Sequence, residues 1–166
     1  MSMKQWRHQS GSSLIEILVT LVILAIGILG VFALQTSSLK SNQNSYLRTQ
    51  ATILSYDIVE RIRANREGVN NLDYNNPTPA TTASCLTTTG CSATQMAAND
   101  ISEWQSLLAF QLPSGAGIIC IDSTPNDGTT ALPACDNSGD LYVVKTWWDE
   151  NRDGTADQLL ATSFQP

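Results

Sequence analysis

The chain has 166 residues and a formal net charge of −6 at pH 7, which leaves room for one modest globular domain beside an apolar segment. Beyond Arg66 the only basic residues are Lys145 and Arg152, so this part lacks the basic surface that binding to nucleic acid requires. The single histidine, His8, lies in the first ten residues, and no phosphate-binding loop, nucleophile elbow or zinc-protease motif is present. The sequence therefore does not predict an enzyme.

The chain begins with a short basic leader, residues 1–11, that ends in Gly11. Lys4 and Arg7 precede an apolar run, and positive charge on this side predicts that the leader faces the cytoplasm. A secretory signal has its apolar stretch before the cleavage site and loses that stretch on cleavage. Cleavage after Gly11 would instead leave the apolar run on the mature chain, with Ser12 as the new amino terminus.

The apolar run, residues 14–34, contains one carboxylate, Glu16. As a helix the run would extend about 32 Å, close to the ~30 Å hydrocarbon core of a bilayer. A carboxylate deep in a membrane costs on the order of 2 to 3 kcal/mol, so a partner is expected for it. In a staggered bundle, Glu16 of one helix could meet the Ser12 amine of the next. We interpret Glu16 as a registration device between subunits.

The helix is expected to continue over residues 35–67, because residues 35–66 contain neither proline nor glycine. Apolar residues recur there at the spacing of an amphipathic helix, namely Leu39, Tyr46, Leu47, Ala51, Ile53, Leu54, Ile58 and Ile62. Gly68 is the predicted stop, so we expect one helix from about Ser13 to about Arg66. Its last turns carry charges that form either a partner-binding face or spaced ion pairs on a solvated face: Asp57, Glu60, Arg61, Arg63 and Arg66.

Residues 68–166 are predicted to form the globular domain. A polar loop over residues 69–99 precedes a short helix over residues 100–110, capped by Asn99 or Asp100. Strands are predicted at residues 116–122, 140–149 and 158–164. This order predicts an α+β fold, with the long helix packed on a small antiparallel sheet.

All four cysteines follow the long helix, on the side assigned to the oxidising periplasm. Four cysteines allow three pairings. We favour Cys85–Cys91 with Cys120–Cys135 over the crossed pairings, because each local pair closes a loop that has little core of its own. A zinc site would need closely spaced cysteine pairs or a histidine in this part of the chain.

Residues 149–157 match the first half of an EF-hand-like calcium loop, with Gly154 at the sixth position. The candidate ligands are Asp149, Asn151, Asp153, Thr155 and Asp157. The twelfth position holds Leu160 where a bidentate glutamate is expected. The alternative is an Asp-Gly turn that joins two strands. Calcium is the one cofactor for which the sequence offers a site.

Several motifs together resemble type IV prepilins. Residues 11–16 (GSSLIE) are similar to the class III leader and the start of the prepilin N-terminal helix, although the family usually has Phe where this chain has Ser12. The PilV subgroup of minor pilins, the type IV pilus modification proteins, resembles this chain at residues 27–30 (GILG), 46–52 (YLRTQAT), 56–66 (YDIVERIRANR), 100–104 (DISEW), 112–115 (LPSG) and 143–147 (VVKTW).

The resemblance implies that a prepilin peptidase cuts after Gly11 and that the amine of Ser12 is N-methylated. It implies a pilin-like fold in which residues 12–34 cross the bacterial inner membrane once and later enter the filament core, while residues 68–166 lie in the periplasm. The implied role is structural: the chain would help to prime pilus assembly with other minor pilins, the major pilin and a tip adhesin.

Two other functions stay open at this point. A minor pseudopilin of type II secretion shares the leader and the helix. A membrane-anchored adhesive or ligand-binding module would use the aromatic residues Trp104, Trp147 and Trp148 as a surface, although most such residues belong to a core.

Overall fold

The computed structural model describes residues 13–166, and the chain divides between Gln43 and Asn44 into two compact units. The elements in chain order are α1 (Leu14–Ala64), α2 (Arg66–Asn70), a short 3-10 helix (Ala83–Leu86), α3 (Ala93–Gln111), β1 (Ala116–Ile121), β2 (Tyr142–Trp148) and β3 (Gln158–Phe164). A long N-terminal helix packs on a small three-stranded antiparallel sheet. The predicted α+β, pilin-like fold class is confirmed.

In the first unit, the described part is α1 as far as residue 43, and every residue there is exposed. The helix begins where the backbone N–H groups of Glu16 and Ile17 donate to Ser13 O. Its apolar 18-residue window has a mean hydropathy of 3.0. A helix that is apolar on all sides needs lipid or protein around it, and this one is long and apolar enough to cross a membrane.

In the second unit, one stripe of α1 faces the core. The buried apolar residues of this stripe recur at helical spacing and are Leu47, Ala51, Leu54, Ile58, Val59 and Ile62. Tyr46 and Ile53, which the periodicity also assigned to the apolar stripe, are 59% and 54% exposed. The reason is the 100° rotation per residue, which turns both of them away from the buried face.

The boundaries of two helices differ from the prediction. Helix α1 ends at Ala64, because Asn65 leaves the helical conformation and its side chain accepts a hydrogen bond from Gly68 N inside α2. Gly68 is therefore not the stop. Helix α3 begins at Ala93 rather than at residue 100, because Ser92 and Gln95 form a reciprocal capping box.

The sheet has the order β1-β2-β3, and both neighbouring pairs are antiparallel. One face packs on α1 and α3: Trp104 Nε1 donates to Leu54 O at 3.0 Å, and a Cβ on Gly117 would overlap the Trp104 ring. The other face is also covered, because Lys145 of β2 contacts Asp122, Asp127 and Pro133 from the segment that joins β1 to β2. All seven residues of β2 are consequently buried.

Candidate functional site

The N-terminal processing site falls at the edge of what the structure describes. Gly11 and Ser12 lie outside the described residues. Glu16 occupies the first turn of α1 and is exposed. Within residues 13–166, no hydrogen bond or ion pair joins the Glu16 carboxylate to another side chain.

The exposed helix of the first unit has a concave patch centred on Gly27. A cavity of about 580 Å³ is lined there by Ile23, Leu24, Gly27, Ile28, Val31, Phe32 and Gln35. Nothing lies within 4 Å of the position that a Cβ on Gly27 would take. The missing side chain thus leaves a notch between bulky apolar groups, which suits close approach of a neighbouring helix.

The charged side chains at the end of α1 form ion pairs with other residues of the chain. Arg61 Nε donates to Asp57 Oδ2 at 3.0 Å, and Arg61 Nη1 donates to Glu103 Oε2 of α3 at 2.8 Å. Arg63 Nη1 donates to Glu60 Oε1 at 2.8 Å. The hydrogen bond from Arg61 lowers the pKa of Glu103. Of the two readings of this cluster, the structure favours ion pairs, one of which joins α1 to α3.

A buried polar network lies beside this cluster. Tyr74, which is fully buried, donates to Asp100 Oδ2 at 2.7 Å and accepts from Asn65 Nδ2 at 3.1 Å. Burial raises the pKa of Asp100, although the hydrogen bond from Tyr74 and the charge of Arg61 both oppose the rise. The predicted role of Asn99 or Asp100 as a helix cap is wrong, because both residues lie inside α3 and are buried.

The four cysteines form two disulfides within the described chain, Cys85–Cys91 and Cys120–Cys135. These are the local pairs that the sequence favoured. The second disulfide closes a loop of sequence separation 15, which lies largely in the segment over the outer face of β2.

Lys145 is the residue that the sequence analysis missed. It is 0% exposed, and its Nζ lies 2.5 Å from Asp122 Oδ2 and 2.8 Å from Asp127 Oδ1 while also donating to Pro133 O at 2.9 Å. Burial by itself would lower the pKa of Lys145, but the hydrogen bonds to Asp122 and Asp127 raise it. The only signal in the sequence is the alternation that places Lys145 on one face with Val143 and Trp147.

The loop proposed for calcium is held together by its own hydrogen bonds. Asp149 is buried; its Oδ1 accepts from Arg152 N at 2.6 Å and its Oδ2 accepts from Gly154 N at 2.7 Å. Asp153 Oδ1 accepts from Thr155 N at 2.8 Å, and Asn151 Oδ1 accepts from Asp153 N at 3.2 Å.

Among the described residues there is no group of three or more His, Cys, Asp or Glu side chains that could hold a metal ion. The calcium set that the sequence suggested, Asp149, Asn151, Asp153, Thr155 and Asp157, stays a prediction beside the alternative of an Asp-Gly turn.

Comparison with known families gives two matches that adjoin each other. The prokaryotic N-terminal methylation motif matches residues 6–32. The Tt1218-like family, described as type IV pilin Tt1218, matches residues 33–102. No curated protein and no solved structure gives a significant match to the chain.

Proposed function

We propose that this chain is a type IV pilin, and that it is a minor subunit of the PilV kind, which helps to prime pilus assembly together with other minor pilins, the major pilin and a tip adhesin. The observation that carries the proposal is the order of the chain: a methylation motif, then an exposed apolar helix, then a disulfide-bonded domain that buries the end of that helix. This order suits a subunit that waits in a membrane and is then drawn into a filament. The proposed role is structural.

Processing would define the mature chain. A prepilin peptidase would remove residues 1–11 and N-methylate Ser12. Residues 12–34 would cross the inner membrane once, with Lys4 and Arg7 on the cytoplasmic side before cleavage. The helix would continue over residues 35–67, and residues 68–166 would lie in the periplasm, where the two disulfides can persist.

Glu16 would then act in assembly. A carboxylate without a partner in an apolar environment costs on the order of 2 to 3 kcal/mol. The amine of Ser12 on a neighbouring subunit keeps its positive charge after methylation and would remove that cost. Entry into the filament is thereby favoured only in the register that brings Glu16 to this amine.

The first experiment measures the mature N-terminus by mass spectrometry, in cells with and without the prepilin peptidase. We expect a terminus at Ser12 that depends on the peptidase, with an added methyl group. An uncut chain that begins at Met1 or Ser2 in both strains would contradict the proposal and would favour the membrane-anchored adhesive module.

A second experiment tests the registration of subunits. Glu16→Ala should leave membrane insertion and the Ser12 terminus unchanged, but should lower the amount recovered in sheared pili about tenfold or more. Thr20→Ala is the matched control, because Thr20 is the other polar residue of the apolar run, one helical turn later. Normal incorporation of the Glu16→Ala chain would refute the pairing.

Deletion of the gene separates pilus assembly from type II secretion. We expect fewer pili and weaker twitching with secretion unchanged. A secretion defect with normal pili would instead identify the chain as a pseudopilin.

A further inference from the structure

The two outer edges of the sheet differ in how their backbone groups are used. The outer edge of β1 is closed by groups from outside the sheet: Gln105 Nε2 donates to Gly117 O, Asn76 N to Ile119 O and Asn137 N to Ile121 O, while Ile121 N donates to Asn75 Oδ1. These contacts show that the odd-numbered residues of β1 direct their backbone groups away from β2. A further strand has little room to pair at this edge.

The pairing register then determines which groups of β3 face outward. In β1 the even-numbered residues form the backbone hydrogen bonds to β2. Their partners in β2 are odd-numbered, as Lys145 is opposite Ile118. The even-numbered residues of β2 therefore bond to β3, where Thr146 lies opposite Leu160. The N–H and C=O groups of Leu159, Ala161 and Ser163 consequently lie on the outer edge of the sheet.

The edge of β3 has no protection of its own. In the described part of the chain, no hydrogen bond outside the sheet ladder involves the backbone of these three residues. The strand is seven residues long, contains no charge and no proline, and pairs with β2 without a bulge. Natural edge strands are usually shortened, charged, bulged or covered, because an open edge accepts another strand.

We infer that the outer edge of β3 is a docking site for an extended, neutral to basic segment of a partner protein, which adds to the sheet as a fourth strand. The inference rests on the proposed function only in placing that partner among the proteins of the pilus assembly. Backbone hydrogen bonds would supply most of the affinity, and the side chains of Leu159 and Leu160 would contact the partner on the two faces of the sheet.

Charge and symmetry select this occupant over a second copy of the chain. Residues 44–166 contain fourteen acidic and six basic side chains, and Asp153 and Asp157 are exposed just before β3. Two such units would repel each other. An antiparallel pairing of two β3 strands would also rotate one unit by 180° about the sheet normal. That rotation reverses the direction of α1, although in both copies α1 leads back to the same membrane.

The test uses the full-length protein in piliated cells. The photocrosslinking residue p-benzoylphenylalanine replaces Leu159 or Ser163, which lie four positions apart on one edge. The same replacement at Phe110, an aromatic residue of α3 that is 88% exposed, is the matched control. We expect both β3 positions to crosslink to one partner, at residues about four apart in a single extended segment, and we expect no such product from position 110.

Two pairs of variants identify the interaction. Ala161→Pro removes one outward N–H without removing a bond to β2, so it should lower the crosslinked fraction about tenfold, whereas Ala161→Gly keeps the N–H and should not. With the photocrosslinker at Leu159, Ser163→Lys should weaken crosslinking and Ser163→Glu should strengthen it if the partner segment is basic, whereas both should leave it unchanged if the segment is neutral. The opposite order would refute the inference. Retention of both disulfides and of the Ser12 terminus shows that each variant is folded and processed.

The outcomes separate this inference from the proposed function. A peptidase-dependent Ser12 terminus without any crosslink at β3 would mean that the edge is only hydrated, and the inference would be wrong while the pilin role stands. Crosslinking to a second copy of the chain, or to partner residues that do not lie in one extended segment, would also refute the inference. Failure of processing would instead refute the pilin role.

Discussion

Between residues 13 and 43 every residue is exposed, whereas in β2 all seven residues are buried. Each region has a charge among apolar residues: Glu16 in the run of residues 14–34, and Lys145 in β2. Lys145 is paired inside the chain by two carboxylates and a carbonyl group. Glu16 has no side-chain partner among the described residues. The difference teaches that a charge in an apolar setting can indicate either an internal ion pair or an interaction with another molecule.

The largest effect is expected from breaking the internal pair. Lys145→Met keeps the apolar stem but leaves Asp122 buried without its cation, which should cost about 3 to 5 kcal/mol. Denaturant unfolding in detergent, followed by tryptophan fluorescence, measures this cost. Lys40→Met, which removes a charge from the exposed helix, is the control and should change stability by less than about 0.5 kcal/mol. Equal effects of the two changes would contradict the comparison.

The disulfides come next and can be compared with each other. Removal of Cys120–Cys135 by serine substitution should cost about 3 kcal/mol, because the bond closes a loop of sequence separation 15. Removal of Cys85–Cys91, with a separation of 6, should cost about 2 kcal/mol. Thermal unfolding of the two double variants ranks them. The reverse order would mean that contacts, rather than loop length, determine the contribution of each bond.

The buried network at Tyr74 should respond to pH. Tyr74→Phe removes the hydrogen bond to Asp100 and should cost about 1.5 to 3 kcal/mol at pH 7. Because that bond favours the charged carboxylate, the cost should shrink as the pH falls and Asp100 is protonated. Unfolding measured at pH 7 and pH 4 tests this, with Tyr56→Phe as the exposed control. A cost that is the same at both pH values would refute the role of charge.

A smaller pH effect is expected at the edge of the Lys145 cluster. The hydrogen bond from Lys145 lowers the pKa of Asp127, so its stabilising contribution is present near neutral pH and is lost as the pH falls through the lowered pKa. Asp127→Asn should therefore flatten this part of the acid unfolding curve. An unchanged acid limb would show that Asp127 contributes nothing through its charge.

The smallest expected effect concerns calcium. Because no group of three or more His, Cys, Asp or Glu side chains among the described residues could hold a metal ion, titration of the chelator-treated protein with calcium should release no heat and leave the melting temperature unchanged. A site occupied at 100 times its Kd would stabilise the fold by about 2.7 kcal/mol, which is readily measured. A calcium-dependent rise in melting temperature would show that the protein binds calcium.

Local sequence patterns suffice to predict several structural features of this molecule. The 21 residues from 14 to 34, with one charge and no proline, suffice to predict the apolar helix, and the third strand predicted from the sequence, residues 158–164, has the observed bounds of β3. The local cysteine pairs follow from loop closure alone. These features depend on neighbours in sequence, so the sequence carries them without knowledge of the tertiary structure.

Only the tertiary structure decided where polar groups would be satisfied. Lys145 is buried because the segment that joins β1 to β2 folds back over β2. Asp100 lies inside α3 because Ser92 and Gln95 start that helix about two turns earlier than its apolar pattern suggests. The closed edge of β1 depends on the side chains of Asn75 and Gln105 and on the backbone N–H groups of Asn76 and Asn137, whereas β3 has no such cover in the described chain. Hydrogen bonds between distant residues follow from packing, which residue periodicity does not record.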